Sequence, residues 1–173
     1  MVSLKRRTRM MIYCSVVLFV FLLIAGCGHE KAMELNGFVV GKDGSHVLIA
    51  EYPSDDSGAP QLFRVYTGES ERLDVGQKVH MTLRPEINDS FPPGATAKSV
   101  RIDRQFDQCR QALNLAIGHA KSGNADAHVY IEDVTVNGGK CIVKIGELVS
   151  PQSYRHSFEA EFDLRTGRLE IRP

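Results

Sequence analysis

The sequence lacks the short motifs by which catalytic, phosphate-binding and metal sites are usually recognised. It has no Gly-x-Ser-x-Gly segment and no glycine-rich loop before a helix. Its six histidines are scattered, no two of them have the spacing of metal ligands, and no cysteine adjoins a histidine. Asp55 and Asp56 do not match the spacing of a calcium loop, which favours a solvated turn. These absences favour a protein that is not an enzyme and that holds no metal or cofactor.

Acidic residues are absent from the first 26 positions, which also contain the long hydrophobic run of the chain. Four basic residues lie between positions 5 and 9, an apolar run covers residues 10–24, and the segment Ile24-Ala25-Gly26-Cys27 follows. This order, with small residues before a cysteine, resembles the lipobox of bacterial lipoprotein precursors. The resemblance implies that residues 1–26 are a signal peptide and that Cys27 becomes the first mature residue. Its thiol would then carry a diacylglycerol.

A lipidated Cys27 would attach the protein to the bilayer at the extracytoplasmic face of the cell membrane. Two or more acyl chains hold a protein stably on a membrane, and residues 27–35 would form a short tether. The other interpretation is an uncleaved transmembrane anchor, but residues 10–26 number 17 and are interrupted by Ser15, whereas a spanning helix needs about 20 apolar residues. Both interpretations keep the basic residues in the cytoplasm and the rest of the chain outside.

The chain without its first 26 residues is mildly acidic. Cleavage after residue 26 would remove four of the 21 basic side chains and none of the 21 acidic ones, so the net formal charge becomes −4. Nucleic acids bind to clustered cations, and this balance therefore disfavours a nucleic acid as partner. The remaining 147 residues suffice for one ordinary domain or two small ones.

Five segments between residues 37 and 103 are rich in β-branched and aromatic residues and predict strands. They cover residues 37–40, 46–52, 61–67, 78–84 and 96–103, with turn-forming residues between them. Five short strands without a helix among them predict a small OB-like β-barrel over residues 36–103. Closing the sheet into a barrel would remove its exposed edges.

Three segments of this region resemble an uncharacterised β-domain family of Gram-positive lipoproteins. They are Asn36-Gly37-Phe38-Val39-Val40, Val75-Gly76-Gln77-Lys78-Val79 and Phe91-Pro92-Pro93-Gly94-Ala95-Thr96-Ala97. The resemblance implies a fold and an extracytoplasmic location. It implies no catalytic residues.

The hydrophobic period changes after residue 103. Apolar residues recur at steps of three and four from Phe106 to Ala120, which predicts a helix of about four turns. Strand patterns follow over residues 127–136, 140–149, 154–164 and 168–172. One helix on a four-stranded antiparallel sheet is an α+β module over residues 104–173. Its closing segment, residues 162–169, is loosely similar to PepSY and cystatin-like modules.

Cysteine is scarce once the signal peptide is set aside. Cys14 leaves with that peptide and Cys27 carries lipid, so that Cys109 and Cys141 remain. Cys109 lies on the apolar stripe of the predicted helix, and Cys141 alternates with apolar residues of a predicted strand, so both are expected in one core. Outside the cytoplasm such a pair favours a disulfide. The alternative is two buried free thiols.

Two residues of the predicted barrel form a candidate binding surface. Barrels of this kind often bind ligands across their second and third strands, and Arg64 and Tyr66 face solvent if Phe63 and Val65 face the interior. Ordinary exposed surface is the alternative interpretation. The row of Glu159, Glu161 and Asp163 is first expected to be a solvated sheet face, and second a site for a basic partner.

The predicted function is that of a membrane-anchored extracytoplasmic lipoprotein that acts as a binding or interaction module. Its partners would be the lipid bilayer, through Cys27, and another envelope protein or a peptidase. An alternative is a regulator or inhibitor of a secreted or membrane peptidase, which the PepSY-like outline favours. A hydrolase whose site assembles from distant residues is a third hypothesis.

Overall fold

The computed structural model describes residues 32–52, 61–122, 127–150 and 153–173. The predicted signal peptide and Cys27 lie outside the described residues, as do Asp55 and Asp56. Residues 32–173 form one compact unit. Within the described ranges, no helix combines the length and the apolar content that crossing a membrane requires.

The first five strands form a closed barrel. They are β1 (Met33–Asp43), β2 (His46–Glu51), β3 (Leu62–Tyr66), β4 (Lys78–Leu83) and β5 (Gly94–Asp103). The barrel closes in the order β1-β2-β3-β5-β4, with β3 and β5 parallel and the other pairs antiparallel. Alternate residues of each strand, such as Val47, Ile49, Phe63 and Val65, fill its interior. The predicted five-stranded OB-like barrel is confirmed.

Strand β1 is longer than predicted and includes the end of the predicted tether. The sequence predicts a tether over residues 27–35, whereas β1 begins at Met33. Met33 pairs with Leu83 and Leu35 pairs with Met81 of β4, and the side chain of Leu35 is fully buried. The tether prediction is therefore wrong for residues 33–35. Pairing with a distant strand orders a segment that has no recognisable strand pattern of its own.

The second half of the chain combines a helix with an antiparallel sheet. A 3-10 helix (Arg104–Cys109) leads into α1 (Arg110–Ser122), and four strands follow: β6 (His128–Asn137), β7 (Lys140–Ser150), β8 (Ser153–Asp163) and β9 (Leu169–Arg172). The strands lie in sequence order in one sheet. The tight hairpin between β6 and β7 depends on Gly138 and Gly139, whose φ angles are 58° and 79°. The predicted α+β class is confirmed.

The helical segment begins differently from the prediction of one continuous helix. Asp103 caps the 3-10 helix by accepting a hydrogen bond from the backbone N–H of Gln105, and Phe106 has non-helical angles. The Phe106 ring lies 5.8 Å from the ring of Phe38 and 6.2 Å from that of Tyr52, measured between centroids. Packing of Phe106 against the barrel therefore accompanies the break in the first turns, and the regular α-helix begins at residue 110.

The barrel and the helix-plus-sheet module share one hydrophobic core. Phe38, Val40, Ala50 and Leu62 of the barrel belong to the same buried cluster as the apolar stripe of α1 and the inner face of the sheet. At the junction, a Cβ atom on Gly76 would lie 2.8 Å from the carbonyl oxygen of Arg110, and the φ of Gly76 is 87°. A glycine is thus needed for both the turn and the close approach.

A disulfide joins the end of the 3-10 helix, just before α1, to the sheet. Cys109 and Cys141 are bonded, with 5.7 Å between their Cα atoms, and both side chains are fully buried. In β7, Cys141 lies on the same face as Val143 and Ile145, which are also fully buried. The bridge therefore lies inside the shared core.

Candidate functional site

A polar groove lies on the outer face of the barrel, across the ends of β2, β3 and β5. We call it the β2–β3 groove, and its volume is about 320 Å³. Its lining consists mainly of polar side chains: His46, Arg64, Tyr66, Glu86, Asn88, Ser90, Gly94, Ala95 and Thr96. The groove is at the lower end of the range for small-molecule sites, about 300–1,000 Å³.

Strand pairing places the floor of the groove. His46 of β2 is the register partner of Tyr66 in β3, and Tyr66 is in turn the partner of Thr96 in β5. Val65 is fully buried in the barrel, so its neighbours Arg64 and Tyr66 face solvent; the side chain of Arg64 is 47% exposed and Tyr66 is 48% exposed. The alternation of β3 thus brings both predicted residues to one surface. Their role in binding stays a prediction.

The loop between β4 and β5 forms one wall of the groove, and hydrogen bonds order it. The backbone N–H of Asn88 donates to the carbonyl of Gly94 at 2.8 Å, and that of Ser90 donates to the carbonyl of Asn88 at 2.8 Å. The Ser90 hydroxyl donates to the carbonyl of Pro92 at 2.7 Å. The backbone N–H of Arg64 donates to the carbonyl of Pro93 at 2.9 Å, which attaches this wall to the floor.

An aromatic contact fastens the same loop to the second module. The ring of Phe91 lies 5.0 Å from the ring of His128 in β6, edge to face at 89°. Phe91 is nevertheless 40% exposed. The wall of the groove is therefore supported from both parts of the molecule. Sequence reasoning missed this wall, because nothing in residues 85–93 beyond turn-forming composition indicates where the loop lies.

The charges around the groove are nearly balanced. The Arg64 guanidinium pairs with the Asp43 carboxylate at 2.6 Å between Nη2 and Oδ2. The His46 ring packs edge to face on Tyr66, with 5.6 Å between centroids. Glu86 contributes one carboxylate to the lining. Such a surface offers both donors and acceptors without a strong field of either sign.

The acidic row of β8 faces cations across the sheet. Glu161 pairs with Lys140 and with Arg172, the latter at 3.1 Å, and Glu159 lies 4.0 Å from Lys144. The hydrogen bond from Lys140 holds the pKa of Glu161 below its usual range. The charges of Glu159 and Glu161 are thus compensated, and Asp163 accepts hydrogen bonds from the backbone N–H groups of Arg165 and Thr166. These contacts favour the solvated-face interpretation over a site for a basic partner.

A buried lysine at the junction of the two modules was not foreseen. The Nζ atom of Lys78 lies 5.2 Å from the ring centroid of Tyr52 and 5.1 Å from that of Phe106, and the side chain is only 7% exposed. It donates to the Gln105 side chain at 3.1 Å and lies 3.4 Å from an Asp103 oxygen. Cation–π contacts and hydrogen bonds thus compensate its burial. We interpret this cluster as a structural clamp.

Tyr52 extends this clamp to the sheet. Its hydroxyl donates to the Asp133 carboxylate of β6 at 3.3 Å, and burial raises the pKa of the phenol. In the part of the chain that the structure describes, no three His, Cys, Asp or Glu side chains converge as a metal site. The hydrogen bond between Tyr52 and Asp133 connects the residue that follows β2 to β6.

Comparisons with known proteins add little to these observations. No protein-family model matches the chain, and no curated protein matches it. Among solved structures, a yobA protein from Bacillus subtilis subsp. subtilis str. 168 is a weak neighbour, with 20% sequence identity and a TM-score of 0.34. The likeness covers 42% of this chain and 96% of that one. The resemblances to Gram-positive lipoprotein domains and to PepSY modules stay predictions.

Proposed function

We propose that this protein is a lipid-anchored extracytoplasmic binding protein that holds a polar ligand in the β2–β3 groove. The observation that carries the proposal is the groove itself: an exposed aromatic ring, Tyr66, is surrounded by side chains that can donate and accept hydrogen bonds. Binding sites characteristically combine a concave surface with a few convergent polar groups.

The buried Cys109–Cys141 bridge supports the proposed location. Disulfides persist in oxidising compartments outside the cytoplasm and are rare within it. The basic, apolar and small-residue order before Cys27 supports lipid attachment there. The two arguments are independent, since one concerns the core of the folded unit and the other concerns residues outside it.

Cell fractionation tests the anchor. Cys27→Ala should release the protein from the membrane fraction or leave it unprocessed, because the lipid would have no thiol to occupy. Cys14→Ala is the matched control: it removes a cysteine of the same signal segment and should leave membrane retention unchanged. A processed Cys27→Ala protein that stays fully membrane-bound would contradict the anchor.

Site-specific photocrosslinking on intact cells tests the binding role. A photoreactive phenylalanine analogue at position 66 should capture a ligand, whereas the same analogue at position 115, which is 44% exposed on α1, should not. Equal capture from both positions, or none from position 66, would contradict the proposal. Capture of a peptidase from position 66 would instead favour the alternative role as a peptidase regulator.

A further inference from the structure

We propose that the ligand of the β2–β3 groove is a neutral saccharide, an inference that rests on the proposed function and specifies its ligand class. Sugars present hydroxyl groups that each donate and accept hydrogen bonds, together with a ring face of C–H groups. The groove offers the complement of both features. Its chemistry, its charge and its preformed wall each support this assignment.

The lining combines hydrogen-bond donors and acceptors with one tyrosine ring. Asn88 supplies an amide that both donates and accepts, Thr96 supplies a hydroxyl, and Glu86 supplies an acceptor. The Ser90 hydroxyl donates its hydrogen to the Pro92 carbonyl and so keeps its lone pairs for a ligand donor. Tyr66 is about half exposed among these polar groups, with the His46 ring 5.6 Å away between centroids. Its exposed part combines an aromatic surface with a polar tip. Hydroxyl-rich rings match this mixture better than a purely apolar ligand does.

The charge balance disfavours charged polymers. The cation of the groove, Arg64, is paired with Asp43 at 2.6 Å, and residues 27–173 carry more acidic than basic side chains. A polyanion requires clustered Lys and Arg to neutralise its phosphates or sulfates. A polycation would meet the single lining carboxylate of Glu86, since Asp43 is already paired with Arg64, and one carboxylate offers it little attraction. A neutral ligand requires neither a cluster of cations nor a cluster of carboxylates.

The wall is formed before a ligand arrives, and the groove is not enclosed. Hydrogen bonds within residues 88–94 order the wall, so that binding need not order the loop, which lowers its cost. The side chains of Asn88 and Ser90 are exposed at the rim. With about 320 Å³, the groove accommodates part of a ligand that continues beyond it, as an oligosaccharide does.

Isothermal titration calorimetry tests this assignment. The chain from residue 28 onward, which contains the compact unit of residues 32–173, is titrated with cellotetraose, maltotetraose and chitotetraose. A twelve-residue oligothymidylate and a neutral hexapeptide are the comparison probes. At least one tetrasaccharide should bind, with an affinity that changes less than about twofold between low and high salt, because no counterions are released.

Variants of the groove make the test specific. Tyr66→Ala should weaken saccharide binding about tenfold through loss of the aromatic ring. Tyr66→Phe keeps the ring and should retain most of the wild-type affinity. Gly94→Ala should weaken binding about tenfold, because its added methyl group would contact Asn88 and Ser90 inside the groove. The matched control is Gly68→Ala, where a Cβ would meet nothing within 4 Å, and it should bind like the wild type.

Three results would overturn the saccharide assignment. They are the absence of binding by every tetrasaccharide, an equal loss of affinity in Gly68→Ala and Gly94→Ala, and binding of oligothymidylate alone with a steep salt dependence. If photocrosslinking from position 66 still captures a ligand, the proposed function stands and only the ligand class is wrong. If that capture also fails, both proposals fail.

Discussion

Cys109 and Cys141 form a disulfide whose Cα atoms lie 5.7 Å apart in the core shared by the barrel and the sheet. The bond links the last residue of the 3-10 helix to the second residue of β7. It fastens the start of α1 to the sheet on which that helix packs. The 3-10 helix is therefore fixed in two ways: Phe106 packs against the barrel, and Cys109 is bonded to the sheet.

Removal of this bridge should destabilise the folded protein. The two cysteines are 32 residues apart, and a loop of that size corresponds to about 3 to 4 kcal/mol in the chain-entropy model. Thermal unfolding of the wild type in the presence of a reductant should therefore show a clearly lower midpoint. The Cys109→Ala/Cys141→Ala protein is the control, since reductant should not change its midpoint. An unchanged midpoint for the reduced wild type would contradict a stabilising role of the bridge.

The approach of the β3–β4 connection to α1 predicts opposite effects for two glycine substitutions. Gly76→Ala should lower the free energy of unfolding by at least about 1–2 kcal/mol, because alanine is strained at positive φ, and the new Cβ would also meet the Arg110 carbonyl oxygen at 2.8 Å. Gly118→Ala should raise it by up to about 1 kcal/mol through helix propensity, because a Cβ there meets nothing within 4 Å. Urea unfolding measures both. Equal effects would contradict the described junction.

Asp103 should make stability depend on pH in the acid range. The hydrogen bond from the Gln105 N–H, and secondarily the nearby Lys78 ammonium, hold the pKa of this carboxyl below its usual range. A carboxyl whose pKa is lower in the folded state stabilises the protein above its unfolded pKa, about 3.9, and loses that contribution as pH falls through the folded pKa. The difference in unfolding free energy between wild type and Asp103→Asn should therefore shrink below about pH 4. A difference that stays constant to pH 2 would contradict this cause.

The contact between Phe91 and His128 should control the order of the groove wall. Phe91→Ala removes an edge-to-face aromatic pair, which is worth about 0.5–1.5 kcal/mol. Amide hydrogen exchange at Asn88 and Ser90 should accelerate up to about tenfold through local opening, while exchange in the barrel interior stays the same. Leu115→Ala, at an exposed position on α1, is the control. Unchanged exchange in the loop would contradict this prediction, because the backbone hydrogen bonds would then order the loop without the aromatic contact.

Local patterns predicted most of the fold. The alternation in β3 and the three-four periodicity of the helix depend on which side chains face a core, and that information is present in each short segment. For the same reason, Arg64 and Tyr66 could be assigned to an outer face from the alternation with Phe63 and Val65. The position of Cys109 on the helical stripe and of Cys141 in a strand also followed from periodicity.

Features that arise from contacts between distant segments could not be predicted in this way. The first residues of β1 are ordered by β4, and the ring of Phe106 is drawn toward Phe38 of the barrel. The wall of the groove depends on barrel closure, which brings residues 88–94 beside β3. Lys78 is buried where two aromatic rings and the Gln105 and Asp103 side chains, from separate elements, meet around it. No segment contains such information alone.

Mapping of backbone amide shifts tests most directly the central claim that the β2–β3 groove is the ligand-binding surface. The ¹⁵N-labelled chain from residue 28 onward is titrated with a solubilised, desalted extract of the cell envelope. We predict shifts concentrated at His46, Arg64, Tyr66 and residues 88–96, which line the groove, and their loss in Tyr66→Ala. Shifts concentrated on the outer face of the sheet, around Glu159 and Glu161, or no shifts at all, would contradict the claim.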